Sequence, residues 1–103
     1  MNILLACAGG VSTGMIADKM MTEAQKRGLQ CKVWAVDDGE IGNELDNNKV
    51  DIVLIGPQIK FKLKKIQEKY KDRNVKILCM NPVDYGMNDA AKILDFGIKN
   101  IGE

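Results

Sequence analysis

Residues 3–13 read Ile3-Leu4-Leu5-Ala6-Cys7-Ala8-Gly9-Gly10-Val11-Ser12-Thr13, and this stretch decides how the chain begins to fold. Its first four residues are an apolar run, and a long amphipathic segment begins at its end. Two glycines between them let the backbone turn tightly. The stretch therefore predicts a strand, a turn and a helix, with a thiol at the point where the strand ends.

The predicted turn has the composition of an anion-binding loop. Backbone N–H groups that point inward and the partial positive charge of a helix N-terminus together favour a bound oxyanion. The same field stabilises a thiolate, which is the nucleophilic form of cysteine. We therefore hypothesise that Cys7 accepts and holds a phosphoryl group. The predicted phosphate ligands are the backbone of the following residues and the hydroxyls of the last two: Ala8, Gly9, Gly10, Val11, Ser12 and Thr13.

A second interpretation of the same residues is structural. One glycine pair beside one thiol also fits a buried cysteine in an ordinary turn, and spacing alone leaves both interpretations open.

Four apolar runs, at residues 3–6, 31–36, 50–55 and 75–80, alternate with helical patterns. The third run is almost continuously apolar, as in a strand that is covered on both faces. This order predicts an α/β fold with a single four-stranded parallel sheet in the order 2-1-3-4 and helices on both faces. We expect one domain over residues 1–103.

The helical patterns predict four helices. They are one from Ser12 or Thr13 to Arg27 with a stop at Gly28, a short one within 38–46, one after Gly56-Pro57 and one from near Asn88. Ligands of such sheets bind at the carboxyl ends of the strands where the strand order reverses. Cys7 and residues 56–58 are therefore expected to flank one crevice.

Composition excludes several function classes. With 15 Lys plus Arg against 14 Asp plus Glu, the net charge of +1 gives no reason to expect a nucleic-acid partner. No run approaches the roughly 18 apolar residues of a membrane span, and no signal-type segment is present, so we expect a cytoplasmic protein without membrane insertion. Because the chain has no histidine and no paired cysteine motif, we expect neither a metal site nor a cofactor.

Three further side chains are candidates for contacts with phosphate or a partner. Gln58 could donate an amide hydrogen bond in the crevice, or be an ordinary polar residue of a first helical turn. Tyr85 could reach phosphate or pack its ring on the domain. Met15 belongs to a methionine group that could form an adaptable docking surface.

Charge is unevenly distributed along the chain. Residues 60–76 are strongly basic, whereas residues 37–51 are mainly acidic. The charges of the two segments either create electrostatic fields that orient partners or belong to solvated helix faces.

The main enzymatic alternative is a low-molecular-weight cysteine phosphatase or arsenate reductase. Their anion loop places arginine six residues after the cysteine, where this chain has Thr13. Threonine cannot supply the charge that stabilises the transition state of hydrolysis, which argues against turnover by water. Residues 81–85 resemble the acid-bearing loop of those enzymes, or form a turn followed by a helix start.

Residues 7–13, 54–59 and 84–86 together resemble the enzyme IIB component of the lactose/cellobiose class of the phosphoenolpyruvate-dependent sugar phosphotransferase system. The resemblance covers essentially the whole chain in length, order of elements and motif positions. Gly14 departs from it, because a serine is often found there.

This resemblance implies a phosphotransferase in which Cys7 is the phosphocysteine. The phosphate would come from a histidine of the IIA component and pass to a sugar bound by the membrane IIC permease. Cellobiose or lactose, as β-linked disaccharides, are the sugars that it implies. A phosphorylation-sensing regulatory module is a further alternative.

Overall fold

The computed structural model describes residues 1–9 and 11–102, without the side chains of Val11 and Ser12. It contains one parallel sheet with the strand order β2-β1-β3-β4. This confirms the predicted fold class and order. The strands are β1 (Asn2–Cys7), β2 (Lys32–Asp37), β3 (Ile52–Ile55) and β4 (Lys76–Cys79).

The strand register brings three loops to one edge of the sheet. Cys7 at the end of β1 is paired with Asp37 at the end of β2, and Ala6 is paired with Ile55 at the end of β3. The chain leaves β1 toward β2 on one side and later returns to β3 on the other side. The loops after these strands therefore meet where the order reverses, as expected for a binding edge.

Helices cover both faces of the sheet, as predicted. They are α1 (Val11–Lys26), α2 (Ile41–Asn47), α3 (Leu63–Lys69), α4 (Pro82–Gly86) and α5 (Ala90–Ile101). One apolar cluster lies between the sheet and α1 and α5, and a second lies between the sheet and α2 and α3. In β1, Ile3 and Leu5 belong to the first cluster, whereas Leu4 and Ala6 belong to the second. This alternation explains why the central strands are apolar along their whole length.

The first helix ends as its sequence predicts. Gly28 has a φ of +69°, the left-handed region that glycine adopts without steric cost. Its N–H donates to the carbonyl of Gln25 at 3.1 Å, and the N–H of Leu29 donates to the carbonyl of Ala24 at 2.9 Å. This is a Schellman cap, which satisfies carbonyls that the helix end would otherwise leave without partners.

The helix predicted after β3 is divided in the structure. Pro57–Lys62 is a 3₁₀ segment, interrupted where Ile59 has a φ of −113° and a ψ of 24°, and α3 begins only at Leu63. The N–H of Ile59 donates to the carbonyl of Gly56 at 3.1 Å, a three-residue spacing that winds the first turn more tightly than an α-helix.

The last helix begins two residues later than predicted. Asn88 has a φ of +52° and therefore ends the preceding turn, and Asp89 caps α5 by accepting the N–H of Lys92 at 3.1 Å. Residues 82–86 form the separate short helix α4, capped by the Asn81 side chain. The segment is thus a turn followed by a helix, as the second interpretation of residues 81–85 predicted.

Candidate functional site

Cys7 lies at the carboxyl edge of the sheet and is almost fully covered, with 1% of its surface exposed. It belongs to neither of the two apolar clusters. Its Sγ lies 3.2 Å from the Thr13 hydroxyl oxygen. The thiol is therefore covered and has a polar contact with a hydroxyl, and its role as a phosphate acceptor stays a prediction.

Thr13 is fully buried in the first turn of α1. The sequence predicted that its hydroxyl would contact a bound phosphate, and the structure places this hydroxyl against the sulfur itself. A hydroxyl can accept a hydrogen bond from a thiol or donate one to a thiolate. Thr13 can therefore stabilise either protonation state of Cys7, and it lies beside the atom that would carry a phosphoryl group.

Gly9 turns the chain just after Cys7, and its φ of +81° requires glycine. Its N–H donates to Oδ1 of Asp37 at 2.7 Å. Of the predicted phosphate ligands, Gly10 and the side chains of Val11 and Ser12 lie outside the described residues. The proposed cradle of residues 8–13 therefore stays a prediction.

Sequence reasoning did not identify Asp37 as a residue of this site. Its two carboxylate oxygens bind the N–H groups of Gly9 and Gly39, the second at 2.9 Å. The Gly9 N–H, the Gly39 N–H and the nearby charge of Lys62 lower the pKa of the Asp37 carboxyl. The one available signal was its position directly after the second apolar run, at the edge where Cys7 was also expected.

The loop after β3 forms the wall behind Cys7. Gly56 is buried, and a Cβ added to it would lie 3.3 Å from the Cys7 Cβ and 2.6 Å from Oε1 of Gln58. The structure therefore confirms that Cys7 and residues 56–58 are neighbours.

Gln58 and Tyr85, two predicted site candidates, contact each other. The Gln58 amide donates to the Tyr85 hydroxyl at 2.9 Å, which joins the loop after β3 to α4. Both groups therefore hold adjacent loops in place at the edge that contains Cys7.

We expect Tyr85→Phe to lower the free energy of unfolding by about 0.5 kcal/mol, because it removes one exposed neutral hydrogen bond. Thermal unfolding of Tyr85→Phe, Gln58→Leu and the double variant measures this change. The double variant should lose less than the sum of the two single losses. Strictly additive losses would contradict the contact.

Several large apolar side chains are exposed in the segments that follow the strands. Met15, the third predicted candidate, is 65% exposed on α1, and Phe61, Val83 and Met87 are also largely exposed. These residues lie within eight positions of the carboxyl end of β1, β3 or β4. Single exposed apolar side chains are common on protein surfaces, so the docking role of Met15 stays a prediction.

The basic and acidic segments lie side by side on one face of the sheet. Lys62 pairs with Asp38 at 3.0 Å, and Arg73 pairs with Asp46 at 2.7 Å. The two segments therefore partly neutralise each other instead of forming separate fields.

Among residues 1–9 and 11–102, no helix is long and apolar enough to cross a bilayer. Within the same ranges, no group of three or more Cys, Asp or Glu side chains is arranged to hold a metal ion.

The fold and this site define a small parallel α/β protein with a covered, hydroxyl-bound cysteine at the point where the strand order reverses. The chain belongs to the lactose/cellobiose-specific IIB subunit family of the phosphotransferase system (PTS), whose family model matches residues 2–96. Proteins of this family take part in sugar phosphotransfer, and the resemblance seen in the sequence is thereby confirmed.

Two curated relatives span most of the chain. The PTS oligo-beta-mannoside-specific EIIB component of Bacillus subtilis is 38% identical over 91 residues, which is 88% of this chain and 86% of that protein. The PTS cellobiose-specific EIIB component of Lactococcus lactis is 33% identical over 95 residues, 89% of this chain and 88% of that protein.

Two solved structures have the same fold. The cellobiose-specific IIB component of Borrelia burgdorferi superimposes with a TM-score of 0.80 at 29% identity, over 99% of this chain and 92% of that one. The lactose-specific IIB domain of Streptococcus pneumoniae gives a TM-score of 0.79 at 16% identity, over 96% and 95% of the two chains. At 16% identity, the second match is evidence for a shared fold only.

Proposed function

We propose that Cys7 takes a phosphoryl group from a phosphohistidine of a IIA component and passes it to a sugar held by a membrane IIC permease. The observation that carries this proposal is the contact between the Cys7 sulfur and the Thr13 hydroxyl at the switch point of the sheet. Membership of the IIB family supports the same role.

In the first step, the Cys7 thiolate attacks the phosphorus of the donor in line. An S–P bond forms and the N–P bond breaks, with its electron pair left on the imidazole nitrogen. That nitrogen takes up the proton that the thiol released. The product carries about two negative charges at neutral pH, by analogy with phosphate esters. We propose that backbone N–H groups of residues 8–13 and the Thr13 hydroxyl hold them.

In the second step, a sugar hydroxyl oxygen attacks the phosphorus. An O–P bond forms, and the S–P bond breaks with its electron pair returned to the Cys7 sulfur. The hydroxyl proton passes to a base of the permease. Cys7 is then ready for another cycle.

We propose that both partners dock over the loops that surround Cys7. Cys7 is covered, so a donor reaches it only by contacting the loops that surround it. Met15 is exposed on the helix that follows the Cys7 loop, and methionines adapt to different surfaces. Adaptable contact suits a protein that meets two partners in turn.

The proposed sugar is a β-linked saccharide such as cellobiose or lactose. The names of the relatives include oligo-beta-mannoside, galactose and cellobiose. The described site consists of a thiol, a hydroxyl, backbone groups and the Asp37 carboxylate, whose two oxygens bind backbone N–H groups. This set offers no arrangement that selects one hexose. Sugar selection is therefore assigned to the permease, which this protein would serve from the cytoplasmic side.

We expect the purified protein to hydrolyse an aryl phosphate no faster than its Cys7→Ser variant. The position that holds arginine in cysteine phosphatases is the buried Thr13, so no guanidinium stabilises the transition state of attack by water. Release of p-nitrophenol from its phosphate ester measures this rate. Rapid turnover that depends on Cys7 would favour the phosphatase alternative.

The transfer itself is tested by reconstitution. The protein is incubated with phosphoenolpyruvate, the general transfer proteins of the system and candidate IIA components. Mass spectrometry then maps an acid- or iodine-sensitive phosphate. Phosphate on a peptide that contains Cys7 supports the proposal, and phosphate on another residue would overturn it.

A further inference from the structure

Asp37 holds the loop that follows Cys7 through a direct hydrogen bond. Its Oδ1 accepts the Gly9 N–H at 2.7 Å, while its Oδ2 accepts the Gly39 N–H at 2.9 Å. Resting on the function proposed above, we propose that Asp37 is a positioning residue that competes with the phosphoryl group for the Gly9 N–H. It thereby lowers the affinity of Cys7 for phosphate.

The sheet register places Asp37 beside the position where the phosphate would lie. Asp37 is paired with Cys7 across adjacent parallel strands, which lie about 4.8 Å apart. Side chains in register on neighbouring strands stand on the same face of the sheet. A phosphoryl group on the Cys7 sulfur and the Asp37 carboxylate would therefore be neighbours.

Two effects oppose phosphorylation at this position. The phosphoryl group has about two negative charges, and the Asp37 carboxylate adds a third beside them. The Gly9 N–H is also one of the donors proposed to bind phosphate, and in the unphosphorylated protein it already binds a carboxylate. Phosphorylation must therefore displace a charge-assisted hydrogen bond.

The neighbouring cation offsets little of this negative charge. Lys62 lies close enough to affect the Asp37 carboxyl, but its ammonium group binds Asp38 at 3.0 Å. Asp37 is ionised at neutral pH because the N–H groups of Gly9 and Gly39 lower the pKa of its carboxyl, and its Oδ1 faces the loop after Cys7. For a carrier, a phosphate that is held less tightly passes more readily to the next acceptor.

The test is the phosphorylation equilibrium between this protein and a phosphorylated IIA component, measured by intact mass spectrometry. Asp37→Asn keeps one side-chain oxygen, which can cap the turn at the Gly39 N–H, but it removes the charge and the second acceptor, so the Gly9 N–H is released. We expect the equilibrium constant for phosphorylation of Cys7 to rise about fivefold at low salt. The rise should shrink at high salt, because screening weakens interactions between exposed charges.

Asp46→Asn is the matched control, since it removes the same charge from a carboxylate near the end of α2 that pairs with Arg73. Its equilibrium constant should stay near that of the wild type. Asp37→Ser, which also keeps a capping oxygen without charge, should give the same rise as Asp37→Asn. Hydrogen exchange at the Gly9 N–H should be about tenfold faster in unphosphorylated Asp37→Ala than in the wild type.

An equilibrium constant that Asp37→Asn and Asp37→Ser leave unchanged would overturn this inference while the proposed function stands. A rise of equal size in Asp46→Asn would also overturn it. Failure of the wild type itself to accept phosphate on Cys7 would overturn both the inference and the proposed function.

Discussion

Replacing Cys7 by serine should abolish phosphate acceptance from a phosphorylated IIA component. A serine hydroxyl is almost entirely protonated at neutral pH, whereas a cysteine thiol ionises more readily, and its thiolate is the form that attacks phosphorus. We expect the transfer rate to fall on the order of 10³-fold or more. Radiolabel transferred to the protein over time measures the loss.

The fold should survive this change, because serine has nearly the shape of cysteine and its hydroxyl can keep the contact with Thr13. A thermal unfolding curve close to that of the wild type would show this. Cys79→Ser is the matched control, since Cys79 ends β4 in the same sheet and is only half-buried. Burial raises the pKa of the Cys79 thiol, which disfavours its thiolate, so this variant should be labelled normally. Normal labelling of Cys7→Ser would place the acceptor elsewhere.

The sheet order could be predicted from sequence because its signals are local and strong. The run at residues 50–55 is apolar at nearly every position, and β3 within it is buried on both faces. The Cys7 turn joins an apolar run directly to an amphipathic helix, which marks the first strand-helix unit. Crossovers between parallel strands are right-handed, so a chain of four strands that alternate with helices can adopt only a few strand orders.

The neighbours of Cys7 could be predicted only in part. Gly56 was expected at the same crevice because the carboxyl ends of β1 and β3 meet there. Asp37 was missed because its contact with Gly9 depends on the register between β1 and β2, which no local pattern specifies. The contact between Gln58 and Tyr85 likewise joins two loops that are 27 positions apart.

Details of helix geometry also depended on tertiary contacts. The apolar spacing of Ile59 and Ile66 fits one continuous helix, yet both side chains are buried against the sheet from two separately wound segments. Asn88 takes a left-handed conformation that asparagine tolerates better than most residues, and this delays the start of α5. Periodicity predicts which face is buried, but it is less informative about where a helix breaks.

Removal of the Thr13 hydroxyl should also slow phosphate transfer strongly, because this hydroxyl is fully buried and lies 3.2 Å from the reacting sulfur. Thr13→Val replaces this hydroxyl by a methyl group of similar size. A hydrogen bond to a charged group contributes about 1.5–3 kcal/mol, which corresponds to a rate about 10- to 100-fold lower if the thiolate loses it. Rapid-quench measurement of phosphate transfer from a IIA component reports this rate.

Two further variants separate this chemical role from a structural one. Thr13→Ser keeps the hydroxyl and should retain most of the transfer rate, even if loss of the methyl group lowers stability. Thr22→Val is the control, since the Thr22 hydroxyl lies on the same helix and donates to the Asp18 carbonyl. The transfer rate of this variant should equal that of the wild type. If Thr13→Ser were as slow as Thr13→Val, packing and not hydrogen bonding would account for the loss. A wild-type rate in Thr13→Val would mean that the remaining groups around Cys7 stabilise the thiolate without this hydroxyl.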